Sequence, residues 1–195
     1  MAAALRNAVE EGAARGVGPD LRALRKSRGV TLTELALSTG RSVGWLSQVE
    51  RGLSTPTFED LRRLADRLSA PVSLFFSDSD IPEEERGHIV RWGAGRKLGA
   101  PESGLSEMLL SPDLGGEFEI VRSVFDPGAE LPAFQQRPTE EAGFVISGRL
   151  DLWIGERLFE LSEGDSFRFR REPYRWRNPG DAPCVVIWVI APPVY

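Results

Sequence analysis

A chain of 195 residues, 41% of them hydrophobic, is long enough for one domain or two small ones and too apolar to be a disordered chain. No apolar run approaches the roughly 18–20 residues that span a bilayer, and Met1 to Arg15 lacks the apolar stretch and cleavage site of a signal peptide. The net charge of −5 is unevenly spread: residues 1–76 carry 11 Lys/Arg against 8 Asp/Glu, and residues 77–195 carry 13 against 21. Only the front half suits a polyanionic partner. The single cysteine, Cys184, lies in the apolar run CVVIWVI and has no partner for an internal disulfide. It reads as a buried thiol in a reducing cytoplasm.

Residues 1–18 read as an Ala-rich N-terminal arm, after which helical periodicity runs from 19 to 76. Pro19 and Asp20 open a first helix with Leu21 and Leu24 inward, and Gly29 stands just past its end. Thr31 starts the second, with Glu34 placed three residues later to complete a capping box. Leu32, Leu35 and Ala36 form its buried stripe, and Gly40 closes it. Ser42 caps a third helix with Leu46 and Val49 inward, and Thr57 caps a fourth built on Phe58, Leu61, Leu64, Ala65 and Leu68. Pro71 in front of VSLFF predicts a short fifth helix. Two short helices joined by a tight glycine turn inside such a bundle make a helix-turn-helix.

Residues 77–88 are polar, acidic and broken by Pro82, and read as a linker. From residue 89 to 195 the chain turns to short β-type runs bounded by Gly, Pro or Asp, such as HIVRW, EFEIVRSVF, EAGFVISG, RLDLWIG, RLFELS, DSFRFR and CVVIWVIAP. Strands at that spacing predict a sandwich or barrel. The fold class is α+β in two domains, an all-α five-helix bundle followed by an all-β barrel.

The run LRALRKSRGVTLTELALSTGRSVGWLSQVERGLSTPTFEDLRRLADRLSAPVSLFF resembles the Xre/Cro-C1 type helix-turn-helix of phage repressors and many bacterial regulators. The ordered set of LR-LR, TLTELA, and LSQVERG followed by the proline of STPT carries the likeness. It implies that helix three, Ser42 to Arg51, is a recognition helix for the major groove of an inverted-repeat operator bound by a dimer. With Leu46 and Val49 inward, Arg41, Ser42, Val43, Gly44, Ser47, Gln48 and Arg51 remain on the outer side. Gln48 is the best base reader, since its amide matches adenine in bidentate fashion. Arg41 comes next, as a guanine or phosphate contact, with a solvated loop cation as the plainer alternative. Arg51, Thr31 and Thr33 suit phosphate. Glu50 suits an ion pair inside the bundle, because a carboxylate facing phosphates repels them. Arg41 and Gly44 depart from the family pattern; Gly44 costs about 1 kcal/mol of helix propensity and would let the backbone or Trp45 approach DNA closely.

The second half resembles a small cupin barrel, the double-stranded β-helix, and regulators joining these two domains form a known bacterial group. Its two motifs fall on PGAELPAFQQRPTEEAGFVISG (Pro127 to Gly148) and LSEGDSFRFRREPYRWRN (Leu161 to Asn178), where Gly128, Glu141, Gly148, Gly164, Asp165, Pro173 and Asn178 match. In metal-binding cupins these motifs supply three histidines and a glutamate. Here the histidine positions hold Phe134, Gln136 and Tyr174, only Glu141 remains, and the sole histidine, His88, lies outside both motifs. No metal or other cofactor is expected. Nor is a catalytic residue: GxSxG, Walker, HExxH and CxxC patterns are absent, and Asp165 reads as a turn carboxylate.

Alternation places Phe134, Gln136, Glu141, Tyr174 and Trp176 on one inward set, which is either a pocket for a small-molecule effector or a plug of side chains. Without a metal, Glu141 must be paired, protonated or solvated. An arginine such as Arg122 or Arg175 reaching it would make a structural ion pair; without one, a ligand bearing an amine or several hydroxyl donors is the nearest remedy. The chain therefore reads as a cytoplasmic, non-membrane, DNA-binding transcriptional regulator whose metal-free barrel senses an effector and forms a homodimer. Two other readings stay open. A cupin-type enzyme carrying a DNA-targeting domain would show turnover or stoichiometric metal. A DNA-binding assembly protein with no effector would bind without regard to sequence.

Overall fold

The computed structural model describes residues 17–75, 81–98 and 104–194. The expected N-terminal arm lies, through residue 16, outside the described residues, as do residues 76–80, the end of the expected fifth helix and the start of the linker. Contacts divide the described residues into two compact units, one of residues 17–96 with 112–116, the other of 97–111 with 117–194. No helix among the described residues is long and apolar enough to cross a membrane.

The first unit contains four α-helices: α1 (Val17–Ser27), α2 (Leu32–Thr39), α3 (Val43–Glu50) and α4 (Phe58–Arg67). Their boundaries follow from local hydrogen bonding. The Thr31 hydroxyl accepts from the Glu34 N–H while the Glu34 carboxylate accepts from the Thr31 N–H, and Gly40 ends α2 at φ 69°. Thr57 and Asp60 form a second box at the head of α4. Among the described residues the expected fifth α-helix is absent. Val72–Phe75 form a 3-10 turn instead, closed by Leu74 N–H to Pro71 O, and four residues are too few to build an i to i+4 ladder. Leu74 and Phe75 are nevertheless buried, so the turn closes the core. Leu21, Leu24, Leu35, Leu46, Leu61 and Leu64 fill that core, each contributing about 1.5–3 kcal/mol by leaving water.

Gly18 lets α1 approach the end of α3, since a Cβ there would lie 2.3 Å from the Val49 carbonyl oxygen. Residues 81–96 and 112–116 group with these helices, whereas the sequence opens the β domain at 89. The buried carboxylate of Asp20 on α1 accepts from Arg96 Nη2 at 2.7 Å and from the Leu114 N–H at 3.2 Å. Burial raises its pKa more than those partners lower it. The segment HIVRW, expected as a strand, is not one. Turns at 86–88 and 92–93, with Gly87 and Gly93 at φ 72° and 84°, break it and leave Trp92 exposed.

The second unit is built from β1 (Arg96–Leu98), β2 (Leu105–Leu109), β3 (Glu119–Phe125), β4 (Glu140–Ser147), β5 (Arg149–Ile154), β6 (Arg157–Ser162), β7 (Ser166–Arg170), β8 (Tyr174–Arg177) and β9 (Cys184–Ala191). One sheet runs β1-β2-β3-β9-β4-β7 and the other β6-β5-β8. Strand alternation turns Val121, Ser123 and Phe125 of β3, Trp188 and Ile190 of β9, and Glu141 and Val145 of β4 to the interior. Phe125 of one sheet meets Trp176 of the other edge to face, with ring centroids 4.6 Å apart. Cys184 is buried, and burial pushes its thiol up to about 11, which makes it an inert core residue.

Candidate functional site

The helix expected to read DNA is α3. Ser42 accepts from the Trp45 N–H at 3.1 Å and starts it, and Leu46 and Val49 hold its inner face in the core. Val43, Gly44, Gln48 and Arg51 are exposed, Ser47 is half-buried, and Thr31 and Thr33 are exposed at the head of α2. Arg51 donates Nε to the Ser47 carbonyl at 3.1 Å, which leaves its Nη groups without a partner among the described residues. A Cβ added to Gly44 would meet nothing within 4 Å, so the fold itself does not require glycine there.

Two buried carboxylates hold this helix. Glu50, at its end, takes Nε and Nη2 of Arg25 on α1 at 2.6 and 3.0 Å, and the same guanidinium reaches the Val30 carbonyl at 2.9 Å. Arg41, just before its start, donates Nε to Asp60 of α4 at 2.8 Å, with Nη2 at 2.5 Å, and lies over the Trp45 ring at 4.9 Å. Two donors of Arg41 are thus committed inside the protein. Burial works to raise the Asp60 pKa, but the Thr57 hydroxyl and Arg41 outweigh it and hold the carboxyl below its ordinary value.

The barrel holds a partly open cavity of about 180 Å³. Of the five inward residues expected, Glu141, Tyr174 and Trp176 line it. Phe134 and Gln136 do not. Phe134 is 49% exposed with Arg175 over its ring, and Gln136 donates its amide to the Arg171 carbonyl at 2.7 Å. The segment around them joins β8 through isolated bridges at Glu130 and Gln135 and not through a continuous ladder, so strand alternation does not govern it, and Gln135 reaches the cavity where Gln136 was expected. Sequence reasoning missed Glu107 and Arg137, which also line the cavity. Glu107 could have been found from the alternation of LSEML, and Arg137 as the one cation in the first motif.

The charges in this cavity are incompletely paired. Thr139 Oγ1 donates to Glu141 Oε1 at 2.8 Å, and Ser123 Oγ donates to Glu107 Oε1 at 3.0 Å. No arginine forms an ion pair with Glu141 within 4 Å among the described residues, and Arg137 has no such pair either. Arg175 instead stacks on Trp153 at 4.0 Å, and Arg122 has the opposite strand phase to the buried Val121 and Ser123. Burial raises the Glu141 pKa; Thr139 and Arg137 oppose the rise, and Glu107 adds to it. Glu119 on β3 is buried with Oε2 unpartnered, and burial pushes it up to about 7 against the pull of the Val194 N–H and Arg137. Burial likewise pushes Tyr174 up to about 12.

The metal that a cupin likeness implies does not fit these residues. Two of the four positions, Phe134 and Gln136, are turned away, a third is a tyrosine, and one carboxylate remains. Among the described residues no group of three or more His, Cys, Asp or Glu could hold a metal ion.

A family model described as a helix-turn-helix domain matches residues 17–75, and one described as a cupin domain matches residues 121–190. The HTH-type transcriptional regulator SutR of Escherichia coli (strain K12) is 42% identical over 178 residues, which cover 88% of this chain and 92% of that protein. The transcriptional regulator ClgR of Mycobacterium tuberculosis is 33% identical over 97 residues, 49% of this chain and 87% of that one. A solved HTH_3 family transcriptional regulator from Vibrio cholerae has 24% identity over 93% of this chain and 97% of its own, with a TM-score of 0.45. With SutR matched over nearly the full length of both chains, and both domain models present, the chain belongs to the HTH-type transcriptional regulators that join an Xre-type helix-turn-helix to a cupin domain.

Proposed function

We propose that this regulator reads an inverted-repeat operator as a homodimer in the cytoplasm, and that its barrel is a metal-free, non-catalytic sensor for a small effector. The observation that carries the sensor reading is the cavity of about 180 Å³ in which Glu107, Glu141 and Arg137 face one space without pairing to each other. Glu141 is buried and Glu107 and Arg137 are half-buried, and a plug would be expected to neutralise such charges, because leaving them desolvated and unpaired is costly. The same residues argue against catalysis, since they include neither an activated nucleophile nor a histidine base.

On the DNA side, Gln48 is the base reader, exposed on the outer face of α3, with Ser47, Val43 and Gly44 beside it. Arg51 and Thr33 contact phosphate. Thr31 and Ser42 present backbone and hydroxyl groups from helix caps, and Arg41 positions the head of α3 through Asp60. The test is a thermal-shift screen of amines, amino acids and sugars on the full chain, followed by operator binding with each hit. A true effector shifts both melting and DNA affinity, the latter about 5–150-fold for ordinary allosteric coupling. Hits that alter melting and leave DNA affinity unchanged contradict the proposal.

A further inference from the structure

The barrel cavity presents charges of both signs. Arg137 enters it from the segment before β4, while Glu107 comes from β2 and Glu141 from β4. Each glutamate has one oxygen held by a neighbouring hydroxyl, Ser123 or Thr139, and the other without a partner among the described residues. A cation alone would satisfy the carboxylates but sit against Arg137. An anion alone would satisfy Arg137 but face two carboxylates. A ligand carrying both charges satisfies all three groups.

Resting on the effector reading above and extending it, we propose that the barrel binds a small zwitterion, its anionic group on Arg137 and its ammonium between Glu141 and Glu107. The carbon skeleton lies against Trp176 and Trp188, whose ring faces also favour an ammonium. At about 180 Å³ the cavity is below the roughly 300–1,000 Å³ of pockets for drug-sized ligands, so the ligand is small. Charge-assisted hydrogen bonds at both ends offset the desolvation of ligand and protein.

The test uses the full chain and a matched series: the common L-amino acids and 4-aminobutanoate, with, for each hit, the amine lacking its carboxylate and the acid lacking its amine. Melting and calorimetric titration are read together. The zwitterion binds, and each singly charged analogue binds about tenfold or more weakly, as loss of one paired charge implies. Arg137→Gln removes the preference over the amine, Arg137→Lys keeps much of it, and Glu141→Gln removes the preference over the acid. Amines that bind as tightly as their parent amino acids, and are indifferent to Arg137→Gln, overturn the zwitterion while leaving an effector pocket. Failure of all three ligand classes also overturns it, and Glu141→Leu then decides the wider reading. If that variant melts above the wild type, the sensor reading fails with it; if it melts below, the pocket stands and only the zwitterion is lost.

Discussion

Gly44 and Glu119 are both poorly suited to their surroundings, and each can be tested by one substitution. Glycine inside a helix costs about 1 kcal/mol relative to alanine. An added methyl at Gly44 would meet nothing within 4 Å, so internal packing does not explain it. Gly44→Ala is expected to raise the melting temperature by about 2–4 °C. If the glycine serves close approach to DNA, the same variant binds operator more weakly, and a variant that is more stable yet binds as before contradicts that use. For Glu119, burial pushes the folded carboxyl up to about 7 from its ordinary 4.5. The native state therefore holds the extra proton, and the stability it contributes is complete below pH 4.5 and lost as pH rises through 7. The loss is on the order of 3 kcal/mol. Glu119→Gln keeps an acceptor for the Val194 N–H, so it should stabilise the protein at pH 8 and change little at pH 4.5. Urea midpoints at the two pH values check this; an equal effect at both refutes it.

At the scale of elements, α3 is eight residues long, too short to hold itself, and depends on its clamps. The Arg25–Glu50 pair is 12% and 6% exposed, so Arg25→Ala leaves a buried charge uncompensated and should cost about 3–5 kcal/mol. Arg41 is 42% exposed, and Thr57 still holds Asp60 without it, so Arg41→Ala should cost less, on the order of 1–2 kcal/mol. Denaturant unfolding that ranks them the other way contradicts these roles. The caps at Thr31, Ser42 and Thr57 were legible in the sequence because their hydrogen bonds span only three residues. The 3-10 turn at Val72–Phe75 was not, since an apolar run after a proline does not reveal its own length. In the barrel, Glu141, Tyr174 and Trp176 lie on regular strands, where alternation places them correctly. Phe134 and Gln136 lie off any strand, and a shift of one residue reverses the facing side. Glu107 and Arg137 carried local signals, the alternation of LSEML and the one cation of the first motif, but only the tertiary fold brings them to one cavity.

For the whole molecule, the front-half surplus, 11 cations to 8 carboxylates through residue 76, lies in the stretch that carries the helix-turn-helix, and the remainder is acidic, 13 to 21. The acidic remainder repels phosphate, so the proposed operator binding rests on a few cations around α3 and on a second copy supplying the other half-site. The full chain is therefore expected to bind an inverted repeat whose half-site centres lie one helical turn, roughly 34–36 Å, apart. Gln48→Ala should relax preference at one position per half-site, at a cost of about 1–3 kcal/mol each, because a lost bidentate contact removes discrimination at that base alone. Arg51→Ala should weaken every sequence alike and flatten the salt dependence by about one unit of slope per lost phosphate contact. These two signatures separate reading from positioning. Selection from random duplexes, repeated with each variant across a salt series, measures both at once. Enrichment of a symmetric motif whose degeneracy grows at one position with Gln48→Ala supports base reading by α3; a wild-type selection that enriches nothing removes it.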